Sequence, residues 1–176
     1  MDYRLQEYSG KQQKRQEVQE QPIQLKKAKV KALNLLERMD RTEAQLREKL
    51  LKAEFEPEIV EQAIAYVYSY GYLNDERYVR NYIEYRKEQK SRRQLEQELQ
   101  FRRGVSPELI RKVYEELEPA DEKAMIRRHL EKKHYIPSQW DEKQKQRIIA
   151  SLQRKGFRPG DILTVIREWE EDGACP

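Results

Sequence analysis

Ser91-Arg-Arg-Gln-Leu-Glu-Gln-Glu-Leu-Gln-Phe-Arg-Arg-Gly-Val-Ser-Pro-Glu-Leu-Ile-Arg-Lys-Val-Tyr-Glu-Glu-Leu117 is the stretch that decides the fold. It reads as two helices with their punctuation. Ser91 followed by Gln94 predicts a capping box, the hydroxyl accepting from a free first-turn amide and the glutamine reaching back. Leu95 and Leu99 stand on one helical face. Gly104 supplies a left-handed stop. Ser106 and Pro107 then occupy the N-cap and first-turn positions of a second helix. Leu109, Ile110, Val113, Tyr114 and Leu117 give that helix an apolar stripe.

The same pattern occurs twice more. Upstream it runs Leu46, Leu50, Phe55, Pro57, Ile59, Val60, Ala63 and Ile64; downstream, Ile148, Leu152, Phe157, Pro159, Ile162, Val165 and Ile166. Phe55, Val105 and Phe157 each sit two residues before a proline, and they are spaced 50 and 52 residues apart. Recurrence at that interval indicates stacked helical units.

Composition agrees with thin layers rather than one thick core. Of 176 residues, 39% are charged and 37% hydrophobic, and the mean hydropathy is −1.12. Much of every helix must face water. Thirty-six basic residues are nearly matched by 32 acidic ones, leaving a net charge of +4 and a pI near 9.0. That balance argues against a tail that merely coats phosphate, while leaving room for a local basic face. A single cysteine, Cys175, excludes a disulfide framework and points to a reducing cytoplasm. The opening residues lack the basic and apolar regions of a signal peptide, and no window is apolar enough for a membrane helix.

Taken in order, residues 1–24 are an arm poor in apolar residues, read as disordered or loosely helical and as a solvated lead-in rather than a tether. Residues 25–71 form the first unit. Its helices are Lys26–Met39 with Ala28, Ala32, Leu33, Leu36 and Met39 on one face; a helix capped by Thr42 and Gln45; and a helix from Pro57 to Gly71. Residues 72–118 form the second unit: a cap at Asn74 or Asp75, a helix from Glu76 to about Lys90, and the pair already quoted. Residues 119–172 form the third, with helices from about Ala120 to Lys133, from Asp141 to Lys155, and from Pro159 onward; residues 173–176 are a tail. Glu56 and Arg158 are poor N-caps, unlike Ser106. The expected fold class is all-α, nine helices in three tandem three-helix repeats. Each unit is small for a lone core, so neighbouring units are expected to lean on each other.

No catalytic site assembles from this sequence. The glycines are isolated, so there is no phosphate-binding loop. His129 and His134 lie off one helical face with no cysteine near, which does not make a zinc site. Carboxylates are scattered beside Lys or Arg, as on solvated helix faces. No enzyme activity, cofactor or metal is expected.

Basic residues are the better lead. Arg86, Lys87, Lys90, Arg92 and Arg93 flank the entry to the quoted stretch, and Arg102 and Arg103 end its first helix. Arg127, Arg128, Lys132 and Lys133 mark the third unit, and Arg154 and Lys155 recur where Arg102 and Arg103 stood. A cation pair at a helix C-terminus complements the macrodipole without any partner. Recurrence at equivalent positions points further, to one positive face that meets DNA phosphates or an acidic protein surface. Eleven tyrosines against three phenylalanines are read as seam residues with their hydroxyls at water. Tyr68 and Tyr85 fall off the stripes and are the expected exceptions.

These residues resemble the RecX family of recombination regulators. The resemblance rests on Ala32-Leu33-Asn34-Leu35-Leu36-Glu37-Arg38-Met39 with Arg41-Thr42-Glu43-Ala44-Gln45-Leu46 and Lys49-Leu50; on Gly71-Tyr72-Leu73-Asn74-Asp75-Glu76-Arg77-Tyr78; and on Leu152-Gln153-Arg154-Lys155-Gly156-Phe157. It covers about residues 28–170, with Gly104 the stop between. One departure is Ala53-Glu54-Phe55, where a Lys-Gly pair is more usual. The resemblance implies an elongated, curved helical array. It implies a cytoplasmic, monomeric regulator in homologous recombination, DNA repair and the SOS response. Such a regulator docks on the RecA–single-stranded-DNA filament and inhibits its assembly, strand exchange and ATP hydrolysis. RecA is the implied partner, with single-stranded DNA as a secondary contact, no membrane and no cofactor. The alternative is a three-helix module that binds DNA directly, without RecA. If the repeats carry the fold, truncating Leu50, Leu99 or Leu152 to alanine costs roughly 2–5 kcal/mol each in denaturant unfolding.

Overall fold

A computed structural model describes the backbone of residues 3–172 and the side chains of residues 21–172; Cys175 and the tail 173–176 lie outside the described residues. The described chain is all helical and contains no strand. Its elements are α1 (Tyr3–Arg38), α2 (Glu43–Leu51), α3 (Pro57–Ser69), α4 (Asp75–Arg86), α5 (Arg92–Gln97) with a π turn at Glu98–Arg102, α6 (Pro107–Glu116), α7 (Glu122–Lys132), α8 (Glu142–Arg154) and α9 (Pro159–Asp172). The first helix begins at Tyr3 rather than Lys26 and keeps Pro22 inside it. Gln, Lys, Arg and Glu are good helix formers, so their polarity does not stop the helix. Met39 lies past the end of α1 and is exposed, contrary to the expected stripe.

The chain forms two compact units, one ending at Tyr78 and one beginning at Val79. In the first, Ala28 and Ala32 of α1, Leu46 and Leu50 of α2, and Ile59, Val60, Ala63, Ile64 and Val67 of α3 close one core with Leu73. Thr42 caps α2 through a complete capping box with Gln45. Arg47 of α2 grips Glu61 of α3 through two bonds of 2.7 and 2.9 Å. Each partner's charged form is favoured, the Glu61 carboxyl being held low by that hydrogen bond.

The second unit contains two three-helix groups. Val79, Tyr82, Ile83, Leu95, Leu99, Val105, Ile110 and Val113 are buried in the first of them. Met125, Ile126, Leu130, Tyr135, Ile148, Leu152, Phe157, Ile162, Val165 and Ile166 form the core of the other. The two groups meet at Ser91, which is wholly buried. Its hydroxyl accepts from the Gln94 amide at 3.3 Å and donates to the Lys155 carbonyl at 2.6 Å. Only half of the expected capping box forms: the hydroxyl accepts from the Gln94 amide, and the glutamine does not reach back. The neighbouring Arg92 amide donates instead to Glu122 Oε1 at 2.7 Å. Within this unit the groups do lean on each other.

One way of stopping helices recurs. A left-handed residue ends the helix, and the next amide donates back to a core residue's carbonyl. Phe55 returns to Leu50 (3.4 Å), Tyr72 to Val67 (3.0 Å), Tyr135 to Leu130 (3.0 Å) and Phe157 to Leu152 (3.3 Å), each five residues back. The left-handed residues are Glu54, Gly71, His134 and Gly156. After α5 the bond runs six back, from Val105 to Leu99 at 3.1 Å, with Gly104 left-handed. The π turn Glu98–Arg102 accommodates the extra residue.

Glu54 (φ 63°) therefore holds a conformation that Gly104 (φ 69°) and Gly156 (φ 86°) hold without a Cβ. Substituting Glu54→Gly should stabilise the protein by up to about 1 kcal/mol, the left-handed cost less the unfolded-chain entropy of glycine. Gly156→Ala acts in the opposite sense, since its Cβ would stand 2.7 Å from Ser91 Oγ and 3.2 Å from Arg93 Cβ. Thermal melts of the two variants should shift in opposite directions.

Candidate interaction surface

The segment Gly71–Asp75 is a joint built residue by residue. Gly71 turns the chain, and both the Tyr72 and Leu73 amides donate to the Val67 carbonyl. Leu73 enters the core of the first unit. Asn74 is the cap of α4, its Oδ1 accepting from the Arg77 amide at 2.8 Å. Asp75 reaches away, accepting from the Glu43 amide at 2.8 Å at the start of α2. Burial pushes the Asp75 carboxyl up, against the pull of that hydrogen bond. Tyr72 stays outside the core and is 54% exposed.

The expected cations divide into tied and free. The Tyr82 ring holds two of them: the Arg86 guanidinium lies 4.2 Å and the Arg103 guanidinium 5.6 Å from its centroid. The Tyr82 hydroxyl donates to Glu98 Oε2 at 2.7 Å, and Lys90 Nζ donates to both Glu98 oxygens at 2.6 and 2.7 Å. Burial pushes the Glu98 carboxyl up, but Lys90 and Tyr82 together hold it below its ordinary value. Burial, then Glu98, pushes the Tyr82 hydroxyl up. Lys87 pairs with Glu84 at 2.9 Å. The π turn that ends this group turns Phe101 outward, 76% exposed. Arg102 beside it is exposed and makes no ion pair with a described residue.

At the junction with the third group, Arg92 pairs with Glu96 at 2.7 Å and covers the Tyr114 ring at 4.4 Å. Lys87, Arg93, Tyr114, Glu122 and Arg158 are among the residues lining a cleft of about 840 Å³. The buried Tyr114 hydroxyl has no hydrogen-bond partner among the described residues, and burial raises its pKa. Arg128 pairs with Glu88 at 2.8 Å, and Arg127 pairs with Glu168. Arg93, Lys132, Lys133, Arg154 and Lys155 are exposed and make no ion pair with a described residue. Lys155, Lys133 and Lys132 nonetheless act on one group. His129 is held below its ordinary pKa first by burial and then by those three charges. Lys132 and Lys133 at the end of α7 and Lys155 at the end of α8 thus bear on the same imidazole.

The tyrosines also divide. Tyr82 and Tyr135 are buried at seams, while Tyr68 and Tyr85 are exposed, as their positions off the stripes imply. Tyr70 and Tyr72 are exposed as well, and sequence spacing does not single them out. Among the described residues no cluster of His, Cys, Asp and Glu could hold a metal ion. No described helix is long and apolar enough to cross a membrane.

Three sequence models of the RecX family match this chain in order: the first three-helix domain at residues 28–66, the second at 74–113 and the third at 121–166. The chain belongs to the RecX family. Regulatory protein RecX of Trichlorobacter lovleyi is 41% identical over 143 residues, covering 78% of this chain and 91% of the relative. A crystal structure of regulatory protein RecX superposes with a TM-score of 0.76 at 19% identity, covering 88% of this chain and 77% of that one. RecX from Lactobacillus salivarius superposes with a TM-score of 0.73 at 20% identity, covering 84% and 97%. Gly71–Leu73 fall between the first and second matched domains, Asn74 and Asp75 begin the second, and Lys155-Gly156-Phe157 lies within the third.

Glu98 supplies a pH test of the tied cluster. Its folded carboxyl is depressed, so its contribution is present above the unfolded value and is lost as pH falls through the lower folded one. Glu98→Gln should cost roughly 1 kcal/mol near neutrality, discounted for partial exposure. In thermal melts the gap from wild type should close as the pH drops below the carboxylate range.

Proposed function

We propose that this RecX-family chain is a regulator that binds the RecA–single-stranded-DNA filament and inhibits its assembly, strand exchange and ATP hydrolysis. It acts without catalysis or cofactor, in the cytoplasm, as a monomer, with single-stranded DNA as a secondary contact. The observation that carries this reading is the ordered match of all three domains to a family whose curated members are named regulatory protein RecX. The unpaired cations support it. Arg93, Arg102, Lys132, Lys133, Arg154 and Lys155 remain available after the internal ion pairs are formed, and such charges steer and orient a protein on an acidic partner. Arg86, Lys87, Lys90, Arg92, Arg103, Arg127 and Arg128 are held by rings or carboxylates and serve the fold first.

The test adds purified protein to RecA, single-stranded DNA and ATP and follows filament assembly and hydrolysis together. Inhibition at stoichiometric protein is expected. Arg102→Glu combined with Arg154→Glu should leave the melting temperature nearly unchanged and raise the protein needed for inhibition roughly tenfold. Unchanged filament traces with wild-type protein would end this reading.

A further inference from the structure

Tyr66, Tyr70 and Tyr72 form a run of touching rings at the end of α3 in the first unit. The Tyr66 and Tyr70 centroids are 4.9 Å apart with the planes tilted 52°. The Tyr70 and Tyr72 centroids are 6.3 Å apart with the planes only 23° from parallel. The outer two rings are 64% and 54% exposed. That is a large aromatic surface to leave in water, and neither ring belongs to the core that α1, α2 and α3 close.

Cations stand at both ends of the run. Lys29 Nζ lies 4.3 Å from the Tyr66 centroid. Lys26, one turn earlier on α1, faces the same way by helical period. At the other end the Arg77 guanidinium donates to the Gly71 and Tyr72 carbonyls at 3.5 and 3.4 Å. The left-handed Gly71 sets Tyr72 beside Tyr70, and no atom stands within 4 Å of where a Cβ on Gly71 would lie. Asp75 is turned away from this surface, onto the Glu43 amide.

The geometry points to a stacking platform for unpaired nucleobases, with Tyr70 and Tyr72 as the base-contacting rings and Lys26, Lys29 and Arg77 beside the phosphates. Exposed ring faces flanked by cations suit single-stranded nucleic acid: each base offers a π-face and each nucleotide a negative charge. A protein partner would be expected to bury such tyrosines inside an apolar surround, whereas this run ends in cations on both sides. The platform deepens the secondary single-strand contact in the proposed function by naming its residues. Its test omits the recombinase, so that the two readings fail separately.

Fluorescence anisotropy measures binding of a labelled oligothymidine, and of an oligonucleotide of the same length carrying abasic sites, to the full chain. Wild type should bind the base-bearing strand about tenfold or more tightly than the abasic one. Tyr70→Ala with Tyr72→Ala should lose that preference while the dependence on salt keeps its slope, because no phosphate contact is removed. Tyr70→Phe with Tyr72→Phe should restore it, since the ring and not the hydroxyl stacks. Equal binding of the two strands by wild type, or undiminished preference in the alanine variant, overturns the platform. So does loss of filament inhibition in that variant with free-strand binding intact, which would make the tyrosines a protein contact. Circular dichroism and a thermal melt of each variant establish that the first unit remains folded.

Discussion

A carbonyl on a core residue, answered by the amide just beyond a left-handed residue, is the interaction on which the rest of this structure depends. Leu50, Val67, Leu99, Leu130 and Leu152 are all buried, and each gives its carbonyl to such an amide. The residue that fills the core therefore also marks where the helix ends. Stop and core cannot drift apart by a residue without breaking both the packing and the bond. This coupling lets groups of about fifty residues keep a defined geometry although each has only a thin apolar layer. It also propagates outward. The last such stop presents the Lys155 carbonyl to Ser91, so the end of α8 becomes the clasp on the N-cap of α5.

The segments on which the resemblance was read are therefore engaged in construction. Gly71 turns, Leu73 packs, Asn74 caps and Asp75 ties α4 to α2. Gly156 makes room for Ser91, and Phe157 closes the third core. These residues serve the fold. What the chain touches must be sought in the residues these joints leave over: the unpaired cations, the outward Phe101 and the tyrosine run.

Element type and number were legible in the sequence because each helix carries its own local signals. Pro57, Pro107 and Pro159 begin helices, Thr42, Ser106 and Asp141 cap them, and glycines stop them. The π turn was not legible. Its only trace is uneven spacing between repeats, since Val105 lies six residues past Leu99 where Phe55 and Phe157 lie five past their leucines. Glu54 and His134 were hidden for a related reason: neither residue type advertises a left-handed backbone. The second bond of Ser91 was illegible because its partner lies 64 residues away. Likewise, a list of basic residues does not reveal which of them meet a carboxylate or a ring. Arg102 and Arg103 are adjacent and chemically alike, yet Arg103 is folded onto Tyr82 while Arg102 is exposed.

The basic doublets and the tyrosine run belong to different units. The free cations named above belong to the second unit, and the tyrosine run belongs to the first. With 36 basic residues against 32 acidic ones, and several of the basic ones already paired internally, only part of the basic complement is left for a partner. Two modest contacts on one chain act together only when a ligand spans both, and the second then binds at the effective concentration set by the first. The proposed filament partner carries protein and nucleic acid together, and so offers both kinds of contact. A short free strand, on the same reading, would meet the tyrosine run alone, without that gain. On the proposed reading, a ligand that offers both an acidic protein surface and unpaired bases is favoured over either one alone, a preference that neither basic residues nor tyrosines would confer by themselves.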